Sequence, residues 1–323
     1  MCLQKTSGDS HTFRIMHFFR AVVFFTSLII ILLFGLSPGF ALLIGLCVGL
    51  LMGQPYAYVV KPASKYLLQF SIVGLGFGMD LHKVMAAGSE GFLFTLLSLV
   101  AALSLGWLFG KWLGIDSRTS YLISTGTAIC GGSAIAAVSQ AMNADERQVS
   151  VSIGIVFILN AVALLIFPMI GQWMSLDQHT FGMWSAIAIH DTSSVVGAAS
   201  QYGDEALLTA TTVKLARALW IIPMTILTAL LFRSKDSRFT FPWFILFFLA
   251  ASSLYTFLPV PDSMVSFLVR IAKMGFVITL FLIGTGISKE AIRHVGMRPL
   301  FHAVLLWLVV MMTSLFVLIR LGS

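Results

Sequence analysis

Residues 124–137 read Ser-Thr-Gly-Thr-Ala-Ile-Cys-Gly-Gly-Ser-Ala-Ile-Ala-Ala, inside an otherwise apolar run from 119 to 141. Gly126, Gly131 and Gly132 each weaken a helix by about 1 kcal/mol relative to alanine. An ordinary membrane span would not place three of them together. A second run, 180–201, carries His190-Asp-Thr-Ser-Ser194 and then Gly197. Asp, Ser and Thr offer the backbone local alternatives to helical hydrogen bonds. Both runs therefore read as broken or re-entrant segments. Irregular backbone at membrane depth is tolerated only where it is buried in protein or lines a cavity.

The surroundings of these breaks set the class. Hydrophobic residues make up 58% of the 323-residue chain and charged residues 10%. A soluble domain carries about 25% charged residues to wet its surface, so the solvent here is lipid. Apolar segments fall at approximately 19–36, 39–53, 64–86, 91–113, 119–141, 147–174, 180–201, 206–233, 241–257, 264–288 and 299–321. A helical span takes about 20 residues, which leaves room for about nine to eleven. The runs are continuous and not alternating, as helices and not barrel strands require. The expectation is an all-α polytopic membrane protein forming a single transmembrane transporter domain over 1–323, with short Gly/Pro-bearing connections.

Charge placement excludes other classes. The net charge of +7 could suggest nucleic acid. The basic residues sit in short loops and form no stripe, so the excess of Lys and Arg on the cytoplasmic side explains them better. With the N-terminus in the cytoplasm and all eleven segments crossing, Lys5, Arg14, Arg20, Lys61, Lys65, Lys111, Arg118, Arg233, Lys235, Arg238, Lys289, Arg293 and Arg298 lie inside. Only Lys83, Arg147 and Arg320 lie outside. Cys2, Cys47 and Cys130 are odd in number, and two lie in apolar segments, so no disulfide framework is expected. The apolar run after Arg20 lacks a small-residue cleavage site and reads as a retained span.

Two weak internal similarities point to repeats. Ser133-Ala-Ile-Ala-Ala-Val-Ser139-Gln140 aligns with Ser194-Val-Val-Gly-Ala-Ala-Ser200-Gln201, and Gly76-Phe-Gly78 with Gly88 matches Gly284-Thr-Gly286 with Gly296. Transporters often carry inverted repeats of this kind. Segments 64–86 and 264–288 run in opposite directions if every segment crosses. The two broken segments become inverted only if both re-enter, from opposite faces.

Ionisable groups deep in a membrane are functional candidates. His190 and Asp191 read as a proton or ion relay, or as a hydrogen-bonded knot between helices. Lys214 and Arg217 share one helical face and read as a positive site for an anion, as countercharges to Asp191, or as structural. Arg270 and Lys273 have the same spacing nearer a segment end, where snorkelling is the rival reading. Gly131, Gly132 and Ser133 could present half-helix N–H groups to a substrate, with Ser193 and Ser194 opposite. Asn160 is either interhelical glue or a ligand contact. Cys130 reads as a small packing residue. His190, Asp191 and Ser193 are contiguous, whereas a hydrolase triad converges from separate positions. No metal-ligand spacing and no phosphate loop appears, so no catalytic residue, metal or cofactor is expected.

The run Gly126–Ala137 resembles the signature of the YeiH-like sulfate exporter family. His190-Asp-Thr-Ser-Ser-Val-Val-Gly-Ala198 and Val213-Lys-Leu-Ala-Arg217 are similar to its second motif region. The resemblance implies a bacterial cytoplasmic-membrane protein of the cation:proton antiporter and anion transporter superfamily, with inverted repeats and crossed discontinuous helices. The expected function is secondary transport of a small anion, sulfate or a sulfonate, with a coupling proton or cation. The rivals are a cation:proton antiporter on the same architecture and a membrane-embedded enzyme or sensor. Lipid is the expected surrounding and nucleic acid is not a partner; a homo-oligomer is compatible.

Overall fold

The computed structural model describes residues 7–54, 56–232, 243–286 and 296–322. Every described element is a helix: α1 Ser7–Leu33, α2 Pro38–Met52, α3 Ala57–Gly76, α4 Leu81–Trp112, α5 Ser117–Ala128, α6 Gly132–Ala141, α7 Glu146–Trp173, α8 Gln178–Ala188, α9 Thr192–Tyr202, α10 Asp204–Ala218, α11 Ile221–Leu231, α12 Trp243–Phe257, α13 Asp262–Thr285 and α14 Met297–Gly322. Among the described residues five helices are long and apolar enough to cross a membrane, counting α10–α11 as one. The chain is an all-α polytopic membrane protein.

Both broken segments turn back. The start of α5 and the start of α7 sit together, because Gln148 Nε2 donates to Asp116 Oδ2 at 2.8 Å and Arg118 Nη1 to the Asn143 carbonyl at 3.0 Å. The arms α5 and α6 therefore enter and leave at one face. The start of α8 and the end of α9 likewise meet, because Tyr202 Oη donates to the Leu176 carbonyl at 2.5 Å and Gln178 Oε1 accepts from Glu205 N at 3.1 Å. The helix α7, 28 residues long, separates the two hairpins and carries the chain across the bundle. They therefore enter from opposite faces. This replaces the arrangement in which all eleven segments cross, because each hairpin returns to the face it entered. It also moves Arg147 to the face that carries Arg118.

Local chemistry explains the ends of these elements. Asp116, Asp145 and Asp177 cap α5, α7 and α8 by accepting from backbone N–H groups, and Asp145 with Gln148 forms a capping box. Segment 64–86 is not one span. Asp80 accepts from His82 N and Lys83 N and starts α4, and the chain turns at 77–80. Segment 206–233 is interrupted between Ala218 and Ile221. Pro223 supplies no N–H there, and the Leu219 carbonyl accepts from Ile222 N at 3.1 Å instead. The expected match of segment 264–288 extends past residue 286, outside the described residues.

The helices pack in two groups. The first holds α1, α2, α3, α12 and α13; the second holds α4 to α11 and α14. Glycine lets backbones approach in the first group: a Cβ on Gly49 would lie 2.6 Å from the Thr285 carbonyl oxygen, and one on Gly284 would lie 2.6 Å from that of Leu42. In the second group, Ser120 Oγ donates to the Gly106 carbonyl at 3.1 Å and pins α5 to α4. The groups meet chiefly where α9 packs on α13 and α2. Lys273 Nζ on α13 also pairs with Asp204 Oδ1 at 2.9 Å.

Candidate functional site

The two hairpin tips touch. A Cβ on Gly131 would lie 3.5 Å from both Cα and N of Asp191. Gly131 adopts φ +63° and ψ −128°, a conformation that a residue with a side chain rarely takes. It closes the tip of α5–α6 and its N–H reaches back to the Gly126 carbonyl at 2.8 Å. Ile189 and His190 form the other tip, ahead of the α9 N-cap Asp191.

Turning a helix back at mid-bundle leaves carbonyls without partners at the C-termini of α5 and α8. Two buried cations on α10 satisfy them. Arg217 Nε donates to the Ala128 carbonyl at 2.5 Å, Nη2 to Thr127 at 3.0 Å and Nη1 to Ile187 at 2.6 Å. One guanidinium thus ties the two hairpins together. Lys214 Nζ donates to the carbonyls of Ile189 at 2.6 Å and Ala186 at 3.3 Å. Each helix C-terminus carries a partial negative charge, so the cations complement it. Both side chains are fully buried. Neither forms a salt bridge to Asp191 among the described residues; their hydrogen bonds go to the helix-end carbonyls.

The N-terminal ends differ. Asp191 Oδ2 accepts from Ser193 N at 3.0 Å and from Ser193 Oγ, which caps α9. No side chain caps α6. The amides that open α6, at Gly132 and Ser133, lack the i−4 carbonyls that serve a helix interior. Gly132 is half-buried and Ser133 is exposed.

Asn160 on α7 braces the second tip: its Oδ1 accepts from both His190 N and Asp191 N at 3.1 Å. Its amide nitrogen is buried without a protein partner, as are both ring nitrogens of His190 and the hydroxyl of Thr127. Buried polar atoms without a partner are costly unless something satisfies them. His190 makes no hydrogen bond to Asp191 among the described residues. Ser194 is buried on the first turn of α9. Cys130 is a buried packing residue, as its context suggested. Arg270 and Lys273 lie elsewhere, on α13.

Two participants had no motif to mark them. Trp307 Nε1 on α14 donates to the Ala188 carbonyl at 3.0 Å, and Trp184 Nε1 donates to the Met311 carbonyl at 3.0 Å. A lone indole in the middle of an apolar span was the available signal, because a buried Trp N–H takes a partner.

A family model described as conserved hypothetical protein 698 matches residues 21–303. A UPF0324 membrane protein of Bacteroides thetaiotaomicron is 50% identical over 282 residues, which are 86% of this chain and 85% of that protein. One from Porphyromonas gingivalis is 50% identical over 87% of this chain and 86% of its own length. One from Photobacterium profundum is 45% identical over 98% of each. No solved structure matches.

Proposed function

The chain belongs to the conserved hypothetical protein 698 family of membrane proteins, and from that premise we propose that it is a secondary active transporter of a small anion, sulfate or a sulfonate. The observation that carries this reading is the meeting of two hairpins from opposite faces around two buried cations. Substrate sites of secondary transporters lie near the midplane, between repeats, where half-helix ends point at the ligand. The bare α6 N-terminus at Gly131, Gly132 and Ser133 supplies N–H donors and positive potential. Asn160 Nδ2 and the His190 ring supply further donors from the other tip. Lys214 and Arg217 act on the anion through their field, since their hydrogen bonds go to carbonyls. Ser193, Ser194 and Asp191 line the α9 side, with Asp191 and His190 handling a coupled proton. No bond in the substrate changes.

Charge bias supports a cytoplasmic N-terminus in a bacterial inner membrane. With Arg147 on the face of Arg118, only Lys83 and Arg320 of the basic loop and terminal residues remain opposite.

Uptake of labelled sulfate and of sulfonates into proteoliposomes tests the proposal. Wild type is expected to move one of them, and Lys214→Ala or Asp191→Asn to reduce it. Unchanged flux in both variants would contradict the assignment. The carboxylate of Asp191, beside cations already engaged by carbonyls, favours a second reading as a cation:proton antiporter. Flux that follows added cation and ignores added anion would decide for it.

A further inference from the structure

Away from the hairpins, a groove of about 500 Å³ runs between the end of α1 and α13. Ile31 and Leu36 form one wall, Val269 and Val277 the other, and Arg270 and Lys273 stand at its side. Gly35, at φ +56°, ends α1 and lets the chain turn away, which leaves the groove open. Phe34, Phe267, Ile271 and Met274, on the same two segments, are exposed apolar side chains. On a helix of a membrane protein such a face meets acyl chains. Arg270 sits about 12 Å along α13 from its start, within reach of the headgroup layer by snorkelling. It has no hydrogen bond or ion pair among the described residues, whereas Lys273 already holds Asp204.

An exposed guanidinium above an apolar cleft on a lipid-facing wall complements one kind of molecule: an amphiphile with an anionic head. The geometry points to a site for an anionic phospholipid, its phosphate on Arg270 and its chains along Leu32, Val269 and Val277. A planar fork of N–H donors matches a phosphate better than a point charge does. The site lies beside the Lys273–Asp204 pair that joins the two helix groups, so an occupant there adds negative charge next to that link. The reading is independent of what the hairpin site carries.

Full-length protein in phosphatidylcholine vesicles doped with phosphatidylglycerol, extracted gently and weighed by native mass spectrometry, tests it. Wild type is expected to retain phosphatidylglycerol over phosphatidylcholine, and Arg270→Gln to weaken that retention about fivefold. Arg270→Lys should keep part of it. Added inorganic phosphate should leave the bound lipid in place. Equal retention of the two lipids by wild type, undiminished retention by Arg270→Gln, or displacement by inorganic phosphate would each overturn the proposal. If Arg270→Gln does not fold, the lipid preference of wild type and its response to phosphate decide alone.

Discussion

The two hairpins share a plan and differ in what covers them. In α8–α9 the return arm is buried from Thr192 to Ala199, packed on α7, α10 and the first helix group. Gly197 shows how closely: a Cβ there would lie 2.8 Å from Leu280 and Leu164 and 3.5 Å from Pro38. In α5–α6 the return arm exposes Ser133, Ala136 and Gln140, which fall on one helical face. The caps differ too: a carboxylate on α9, bare glycines on α6. Two elements of the same shape, entered from opposite faces, are thus held in unlike states. One is closed against the first helix group and the other is open. On the transporter reading proposed above, that asymmetry keeps the site from being open on both sides at once.

The largest effect should come from what the hairpins share. Arg217→Met removes three hydrogen bonds that span both of them. A charged hydrogen bond is worth about 1.5–3 kcal/mol, so thermal unfolding in detergent should show a loss of about 3 kcal/mol or more, with flux abolished. Retained stability would mean that the hairpins do not depend on a common cation. Next comes the open tip. Gly131→Ala forces a side chain into a glycine conformation and against Val156, 3.1 Å away. It should cost about 1–3 kcal/mol. Gly132→Ala meets only Phe157, at 3.5 Å, so it should fold normally. A flux defect in Gly132→Ala would then report lost approach to the backbone and not lost fold. The smallest structural effect belongs to the closed tip. Asn caps a helix about as well as Asp, so Asp191→Asn should change stability by less than about 0.5 kcal/mol. Its signature is a flux that no longer responds to a pH gradient. A gradient response equal to that of wild type would remove Asp191 from the coupling role.

Much of this was legible in the chain before any contact was known. The glycines at 126, 131 and 132 and the polar run from His190 marked both breaks, and burial of Lys214 and Arg217 followed from their depth in an apolar segment. What stayed hidden depends on distant residues. A run of 22 or 23 residues can cross a bilayer or fold back within it, and the choice rests on Asp116 meeting Gln148 and Leu176 meeting Tyr202. Depth in the segment left an anion site and a countercharge to Asp191 both open for Lys214 and Arg217. The true partners are carbonyls, which every residue has and no sequence pattern marks. Hydropathy also ran through the turn at 77–80, where Asp80 just ahead of an apolar run was the overlooked start signal.

Thiol labelling by a membrane-impermeant reagent tests the opposed hairpins most directly. In a background without Cys2, Cys47 and Cys130, single cysteines at exposed Ser117 and Glu146 flank the first hairpin, and at exposed Ser175 and Glu205 the second. The account predicts that Ser117→Cys and Glu146→Cys label from one face of the membrane, and Ser175→Cys and Glu205→Cys from the other. Labelling of Ser117→Cys and Glu146→Cys from opposite faces would contradict it.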